Sequence, residues 1–493
     1  MYRLANFRGA GSRNEGNNLN NNNTENTVTN VVDRIGEQTD KEKSLQEQRN
    51  ELALGIIEKT EFLRPLLYVQ DVELYNERPE TEGYIQGRYE GVGINRHFIR
   101  GEGTDFPNYL ENSTVTDIGF DGNNLYVVDN DLGHYRVNDP EKDPRIIEGL
   151  PPIRVSASDV DTLARNVANQ MSQLYNTSHP IFDAELGYLR TNFVSSSVAP
   201  YGNTMALRIS RPSLAIKNLD DMGTPEVAQL LGAFMRSRLN LLISGSTGSG
   251  KTEMQKALIS YIPPHHKISL MEDTLDSHIK EIYAEKDINS WRTVRSTGKD
   301  SVADDIDFNA LLRAALRNFP DWAMVSEVRG EEAGALLSVA LSGHSVMTTL
   351  HTQGADSIPE RLADMVSMGN SKMDYGALLR NILSVFKIGM HLERGKDPDT
   401  GKTIRYIREI YEFVDYDKDT GVIGHPIYRR YQKYNATTGK YEVKKQHYRI
   451  SDELLAKLED NREYDSVPTV FRQGDYPYKT MASKKSATAS EEG

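Results

Sequence analysis

The chain has 493 residues, enough for two or three domains, and its 38% hydrophobic and 26% charged residues are ordinary for a globular protein. It contains no cysteine, which excludes disulfides and thiolate metal sites. A formal net charge of −13 argues against a main role in binding nucleic acid backbones, although not against a local basic channel. We find neither an apolar run long enough to cross a bilayer nor the apolar core of a secretory signal. These features predict a protein of the cytoplasm or of the inner side of a membrane.

The N-terminal segment is rich in asparagine. Residues 14–30 read NEGNNLNNNNTENTVTN and carry few bulky apolar side chains, so they cannot bury enough surface to offset the entropy of ordering. We therefore expect a disordered arm over residues 1–40. The small, polar and charged residues of 478–493 predict a disordered tail for the same reason.

Residues 41–218 have a mixed α/β pattern. Residues 156–175 predict an amphipathic helix that is capped by Ser158 or Asp159. Strand-like runs broken by turn residues occupy two further stretches, at 114–137 and 189–211. We expect a smaller N-terminal α/β domain here, followed at 219–226 by a polar linker that contains Gly and Pro.

Residues 227–412 alternate helical stretches with short apolar strands, which is typical of a largely parallel sheet. The predicted strands are 239–244, 267–272, 322–327 and 346–351. Three turns of one type then follow, each between strand-like segments: DTGK at 399–402, DTGV at 419–422 and TTGK at 437–440. Such turns favour β-hairpins, so we expect a hairpin-rich C-terminal extension over 413–477.

The sequence GSTGSGKT at 245–252 follows an apolar strand and opens a helix, which is the context in which a glycine-rich loop holds phosphate. Inward-facing N–H groups and the helix N-terminus form a concave anion site. In this pattern Lys251 places a positive charge on the β and γ phosphates, and the Thr252 hydroxyl is a ligand for Mg²⁺. We predict that the nucleotide is bound by the whole loop: Gly245, Ser246, Thr247, Gly248, Ser249, Gly250, Lys251 and Thr252.

Charged or polar side chains end the later predicted strands. Glu272 and Asp273 end one strand, Glu327 and Arg329 follow another, and His351 ends a third. Ligands of doubly wound sheets lie beyond the carboxyl ends of the strands. A single acidic strand end is usually a solvated terminus, but three such ends after one phosphate loop indicate a catalytic site.

Four blocks in this order resemble the motifs of the secretion-superfamily ATPases, which drive type II and type IV secretion, type IV pili and the Tad pilus. The blocks are GSTGSGKT at 245–252, SLMEDT at 269–274, LLRAALRNFPDWAMVSEVRGEEA at 311–333 and SGHSVMTTLHT at 342–352, similar to the Walker A, Asp box, Walker B and His box motifs of that family. Without cysteine, the chain lacks the four-cysteine zinc insert usual in the type II branch. The segments NLLISGSTGSGKT at 240–252 and EVRGEEA at 327–333 resemble most the type IV secretion and Tad branch.

The resemblance implies a RecA-like P-loop domain behind the smaller N-terminal domain, with ATP and Mg²⁺ bound between them in a homohexameric ring. It also implies a motor for secretion, conjugation or pilus assembly. Such a motor would lie on the inner face of the cell membrane and dock on inner-membrane secretion or pilus platform proteins, with nucleic acid as possible cargo only.

The resemblance also assigns roles to single residues. Glu272 would be the general base that activates water, Glu327 would act with Mg²⁺ or that water, and His351, with His344 as a second candidate, would sense the γ phosphate. Arg208 is the first choice for a cation that contacts phosphate. The alternatives are Arg190, Arg211, Arg313, Arg317 and Arg329. Each of these arginines is equally compatible with a surface salt bridge of little energetic worth.

Two other functions remain open on the sequence. A P-loop phosphotransferase would need an acceptor-binding lid, but the His-box segment follows the Walker B strand instead. A nucleotide-binding scaffold with little turnover is disfavoured by the intact Lys251, Thr252, Glu272 and Glu327. Ser326 stands where the family usually has Gly, a small change at a strand end with which we expect activity to survive.

Overall fold

The computed structural model describes residues 45–63, 66, 114–130, 132–147, 152–275, 277–294, 305–330, 332–369, 373–398, 401 and 403–474. The chain divides into two compact units, residues 1–48 and 49–493. Both sheets and the candidate site belong to the second unit. The predicted arm (1–40) and the predicted tail (478–493) lie outside the described residues.

The N-terminal region forms one antiparallel sheet with helices. Its elements are α1 (Leu45–Lys59), β1 (Val115–Phe120), β2 (Leu125–Asp129), β3 (Gly133–Arg136), α2 (Pro144–Ile147), α3 (Ala157–Gln170), β4 (Ile181–Leu186), β5 (Leu189–Val194) and β6 (Thr204–Ile209). In the part of this region that the structure describes, six strands pair in the order β3-β2-β1-β6-β5-β4. Side chains alternate between the two faces of a strand, so Leu189 and Phe193 of β5 are buried in the core whereas Arg190 is exposed.

Helix α3 begins earlier than the sequence predicts. Its N-cap is Ser156, not Ser158 or Asp159. The Ser156 hydroxyl accepts from the Asp159 N–H (3.3 Å), and the Asp159 carboxylate accepts from the Ser156 N–H (2.8 Å). Asp159 is therefore the third helical residue of a capping box, which satisfies two backbone donors reciprocally.

We expect the Ser156→Ala substitution to lower the free energy of unfolding by about 1 kcal/mol, because it removes the acceptor at the helix N-terminus. Urea denaturation of the full chain, followed by circular dichroism, measures this change. Ser158→Ala is the matched control, since the Ser158 side chain is exposed within the first turn. A larger loss of stability for Ser158→Ala than for Ser156→Ala would contradict the assignment of the cap.

The C-terminal region contains the second sheet. Its elements are a 3-10 helix (Leu219–Met222), α4 (Pro225–Arg236), β7 (Leu241–Gly245), α5 (Lys251–Ile259), β8 (Ile268–Glu272), α6 (Ile279–Ile282), β9 (Ile288–Arg292), α7 (Phe308–Leu316), β10 (Trp322–Val325), α8 (Glu332–Leu341), β11 (Ser345–Leu350), α9 (Ile358–Met368), α10 (Tyr375–Val385), β12 (Ile388–Lys396), β13 (Thr403–Asp417), β14 (Gly421–Asn435), β15 (Lys440–His447), α11 (Asp452–Asp460), a 3-10 helix (Tyr464–Ser466) and α12 (Thr469–Arg472).

Within the described residues, nine strands form this sheet, in the order β15-β14-β13-β12-β7-β11-β10-β8-β9. The strands from β12 to β9 in that order are parallel, whereas β12, β13, β14 and β15 pair antiparallel. Leu241 and Ile243 belong to one buried cluster and Leu242 to another, so β7 is covered on both faces. Such double coverage explains why this strand is a continuous apolar run.

The four predicted strands of the P-loop region are present as β7, β8, β10 and β11. The predicted hairpins are present as the antiparallel pairs β12–β13, β13–β14 and β14–β15. These findings confirm the predicted fold class, a RecA-like α/β domain preceded by a smaller α/β region. Among the helices of the described residues, none has both the length and the apolar character that crossing a membrane requires.

The predicted domain limits fall within structured elements. The limit between residues 412 and 413 lies inside β13, which pairs with β12 on one side and β14 on the other. The predicted linker at 219–226 contains buried Leu219 and Met222, and the Thr224 side chain caps α4 by accepting from the Val227 N–H (3.3 Å). The linker is therefore polar in composition but packed at its apolar positions.

Candidate nucleotide site

The loop between β7 and α5 has the backbone conformation that its glycines allow. Gly248 and Gly250 have φ angles of 76° and 93°, in the left-handed region that glycine adopts without steric cost. A Cβ on Gly245 would collide with the Ser249 hydroxyl and would lie 2.6 Å from the Leu392 carbonyl oxygen. The loop thus requires glycine for backbone direction at two positions and for close packing at a third.

Lys251 is the first residue of α5, and its side chain folds back over the loop. Its Nζ donates to the carbonyl oxygens of Gly245 (3.0 Å) and Ser246 (3.4 Å) and lies 3.3 Å from Nε2 of His351. Burial lowers the pKa of Lys251, and the nearby Glu327 carboxylate acts in the opposite direction. An anion in the loop would offset the cost of burying this charge.

Strands β10 and β11 are neighbours, and their carboxyl ends bring three predicted residues together. His351 Nε2 lies 2.8 Å from Glu327 Oε1, and Nη2 of Arg329 donates to Glu327 Oε2 at 2.5 Å. The hydrogen bond to Glu327 raises the pKa of Arg329, although burial opposes it. A chain of polar contacts therefore runs from Lys251 through His351 and Glu327 to Arg329.

Glu327 and Arg329 border a cleft of about 570 Å³ between the two sheets. Arg190 and Arg208 line it from the first sheet, and Thr252, Glu327 and Arg329 line it from the second. Further lining residues are Asp273, Thr274, Thr293, Val294, Asp305, Ile306, Asp307, Phe308, Ser326, Gly330 and Glu332. The cleft therefore combines the loop hydroxyl with cations from both regions and with carboxylates from the C-terminal region.

Arg208 faces this cleft beside a second arginine. Arg190 and Arg208 are directly opposite each other in the register of β5 and β6, and Nε of Arg208 donates to Asp117 Oδ1 at 2.9 Å. Like charges in opposed positions repel each other, and the Arg208 side chain is 51% exposed, so Asp117 compensates it only partly. The pair is thus a suitable contact for an anion that enters the cleft.

Four other candidates lie elsewhere. Arg313 and Arg317 are exposed on α7 and at its end, and Nη2 of Arg211 donates to the Val115 carbonyl oxygen. His344 precedes β11 and contacts the Ser342 hydroxyl at 2.9 Å, at the opposite end of this strand from His351. None of the four is among the described residues that line the cleft.

Glu272 is the last residue of β8 and is only 1% exposed. Its neighbour Asp273 lines the cleft and accepts from the Thr293 hydroxyl at 2.6 Å, whereas Glu272 is not among the described lining residues. A carboxylate at this depth needs compensating interactions, and a buried ionisable group at a strand end of a cleft is typical of functional sites. The structure therefore places the two acids of the Asp box in different environments.

Sequence reasoning missed two arginines beside the loop. Arg405 Nε donates to the Gly248 carbonyl oxygen at 2.9 Å, and a Cβ on Gly248 would lie 3.5 Å from Nη1 of Arg394. Arg394 and Arg405 are opposite each other in the register of β12 and β13. In the sequence, the two arginines are related only by flanking the predicted turn at 399–402. The pairing of β12 with β7 is what brings them to the loop.

Thr252 and Glu327, the two residues predicted to serve Mg²⁺, both line the cleft. In the described part of the chain, no group of three or more His, Asp or Glu side chains could hold a metal ion. Mg²⁺ is commonly held by one or two protein oxygens while substrate phosphates and water complete its shell. One hydroxyl and one carboxylate beside a phosphate loop fit that pattern.

Comparison with known proteins identifies the family. A family profile described as "Type II/IV secretion system protein" matches residues 189–393. An uncharacterized protein of Bacillus anthracis is 33% identical over 340 residues, which cover 68% of this chain and 70% of that protein. The protein VirB11 of Agrobacterium tumefaciens is 29% identical over 245 residues, which cover 42% of this chain and 67% of VirB11.

Among solved structures, the Legionella pneumophila ATPase DotB is 19% identical, with a TM-score of 0.44, and the match covers 63% of this chain and 79% of DotB. The family profile spans the glycine loop, the acidic strand ends and His351, and the Bacillus relative matches over most of its own length. The chain therefore belongs to the type II/IV secretion system protein family, the family of the secretion ATPases, and within it to the type IV branch.

Proposed function

We propose that this protein hydrolyses ATP in a ring and powers a type IV secretion, conjugation or pilus-assembly machine. The observation that carries the proposal is the chain of contacts from Lys251 through His351 to Glu327 at the mouth of the glycine loop. Phosphoryl transfer to water depends mostly on positioning and charge stabilisation. A cation, a carboxylate and an imidazole around one phosphate pocket supply both.

Binding would rearrange this chain of contacts. Lys251 would exchange the carbonyl oxygens of Gly245 and Ser246 for phosphate oxygens, which restores favourable surroundings to a half-buried ammonium group. The Thr252 hydroxyl would ligate Mg²⁺. Glu327, whose carboxylate is held by Arg329 and His351, would turn to the metal ion or its water once phosphate competes for those two side chains.

Hydrolysis would then use the strand ends of β8 and β11. Glu272 would accept the proton of the attacking water as a general base. His351 would contact the γ phosphate and report its loss, because it already lies between Lys251 and Glu327. Its contact with Glu327 would re-form when phosphate leaves.

A ring supplies what one protomer offers only in part. Arg208 and Arg190 face the cleft from the first sheet and would stabilise phosphate charge as the two sheets close. We infer a homohexamer in which closure of each cleft is coupled to the neighbouring subunit. This arrangement gives ATP hydrolysis a mechanical output.

The partners follow from the branch of the family. One relative carries the printed name "Type IV secretion system protein VirB11", from Brucella suis. We propose that this chain works in the cytoplasm, on the inner face of the cell membrane, and docks on inner-membrane secretion or pilus platform proteins. Nucleic acid would be cargo at most, since the net charge is −13.

The deciding experiment is ATP turnover of size-fractionated protein in the presence of Mg²⁺. We expect activity in the fraction with the mass of six chains, little in the monomer fraction, and loss of activity when EDTA removes the metal ion, because Mg²⁺ neutralises the developing phosphate charge. Readdition of Mg²⁺ should restore the rate and serves as the control for damage by the chelator.

Turnover that is confined to the monomer would contradict the ring. Phosphate transfer that depends on an added acceptor would favour a phosphotransferase, and hexamers that bind ATP without turnover would favour a scaffold. Analytical ultracentrifugation of the same fractions assigns each rate to an oligomeric state.

A further inference from the structure

Arg405 of β13 contacts both the phosphate loop and the first sheet. Its Nε donates to the Gly248 carbonyl oxygen at 2.9 Å, and its Nη2 donates to Asn130 Oδ1 at 3.0 Å. Asn130 directly follows β2, and its N–H donates to the Thr114 carbonyl oxygen at 2.9 Å, which ties it to the start of β1. One guanidinium group therefore joins the glycine loop to the end of β2 in the first sheet.

The contact with Gly248 fixes the direction of a peptide plane. The carbonyl of Gly248 and the N–H of Ser249 belong to one planar, trans peptide unit and point in opposite directions. Arg405 holds the carbonyl on the outer side of the loop, so the Ser249 N–H points inward, where it now donates to the Ser246 carbonyl oxygen at 3.2 Å. Phosphate binding by such loops depends on inward N–H groups.

The Arg405 position is an unfavourable place for a cation. Burial and the neighbouring Arg394 both lower the pKa of Arg405, whereas the Glu253 carboxylate raises it. The side chain also packs at Gly250, where an added Cβ would lie 3.3 Å from Arg405 Cδ. Two cations placed side by side gain no stability from each other. The favourable polar contacts of Arg405 are therefore the two hydrogen bonds of its guanidinium group, to Gly248 and Asn130.

We propose that Arg405 is a positioning residue that couples the placement of the N-terminal sheet to the conformation of the phosphate loop. When the sheet lies as in this structure, Asn130 orients the guanidinium group and the group holds the loop ready for nucleotide. When the sheet moves away, Arg405 loses one of its two contacts and the loop is held less firmly. The inference rests on the proposed function only in that the ligand of the loop is a nucleotide.

The test combines two measurements on the full chain. Titration with ADP that carries a fluorescent N-methylanthraniloyl group measures affinity, and hydrogen–deuterium exchange measures the protection of residues 245–252 without nucleotide. We expect Arg405→Met to weaken nucleotide binding about tenfold, in the usual range of coupling between sites, and to speed exchange of the loop. In turnover assays KM should rise while kcat changes little, because a binding contact is lost.

The second expectation separates coupling from simple packing. Asn130→Ala leaves the loop contact in place, yet it should also weaken binding and speed exchange of the loop, although less than Arg405→Met. The double variant should be no worse than Arg405→Met alone, because both changes break one chain of contacts. Arg405→Lys should recover little, since an ammonium group lacks the planar fork that reaches both partners.

Arg408→Met is the matched control. Arg408 lies on the same strand and donates to Glu393 at 2.9 Å, so its removal perturbs β13 without touching the loop. It should leave nucleotide affinity and exchange of the loop at the wild-type level.

Wild-type exchange of the loop in Arg405→Met, or an effect of Arg405→Met with none of Asn130→Ala, would overturn the inference. Failure of the wild-type chain to bind the nucleotide would instead overturn the proposed function. In that case the exchange measurement still tests the coupling, because it needs no ligand.

Discussion

Replacing Lys251 with alanine should lower ATP turnover by at least about 10²-fold, the usual cost of removing one preorganised electrostatic group from a transition state. Lys251 is the cation within the loop itself, and its present partners are two backbone carbonyl oxygens and His351. With alanine, no ammonium group at this position stabilises the β and γ phosphates. A coupled assay for released phosphate gives the rate, and fluorescent nucleotide gives the accompanying loss of affinity.

The matched control is Lys280→Ala, which removes an exposed lysine from α6. This variant should keep wild-type turnover and affinity. Since Lys251 is half-buried rather than part of the core, we expect the thermal unfolding of Lys251→Ala to match that of the wild-type chain. Wild-type turnover by Lys251→Ala would refute the assignment of the phosphate site.

Replacing Glu272 with glutamine should abolish turnover but retain nucleotide binding. Loss of a positioned general base typically slows a reaction about 10²- to 10⁴-fold, and the amide keeps the shape of the buried side chain without its basicity. The protein should then accumulate with ATP bound. Retention of radiolabelled ATP on a desalting column, beside a phosphate-release assay, measures both parts of this expectation.

Asp273→Asn decides between the two acids at the end of β8. Asp273 lines the cleft, whereas Glu272 is buried. Asp273 is therefore a second candidate for the general base. If Asp273→Asn stops turnover while Glu272→Gln does not, the base is Asp273. Glu285→Gln, an exposed change before β9, should be neutral and controls for loss of charge.

The parts of the site that the sequence predicts are the local ones. The loop at 245–252 is contiguous, and its glycine positions follow from backbone geometry. The sequence predicts that Glu327 and His351 lie close together, because these residues follow β10 and β11 and parallel strands end at one edge of a sheet. Periodicity and turn composition likewise predict the strands and hairpins.

The parts that the sequence does not predict depend on register and pairing. Arg405 reaches Gly248 because β13 pairs with β12 and β12 pairs with β7, and no local pattern specifies that order. The sequence assigns His344 to the same role as His351, yet it lies one strand length away, because β11 separates the two. The cap of α3 is Ser156 rather than the predicted Ser158 or Asp159, since Ser156 and Ser158 are equally good capping residues by type.

The continuity of the second sheet has a mechanical consequence. From β7, which carries the phosphate loop, hydrogen-bonded neighbours lead through β12, β13 and β14 to β15 at the edge. A protein that binds the β14–β15 hairpin would therefore contact a continuous sheet that extends to the strand before the glycine loop. Force applied at the hairpin and events at the phosphate would be transmitted along the same ladder of backbone hydrogen bonds.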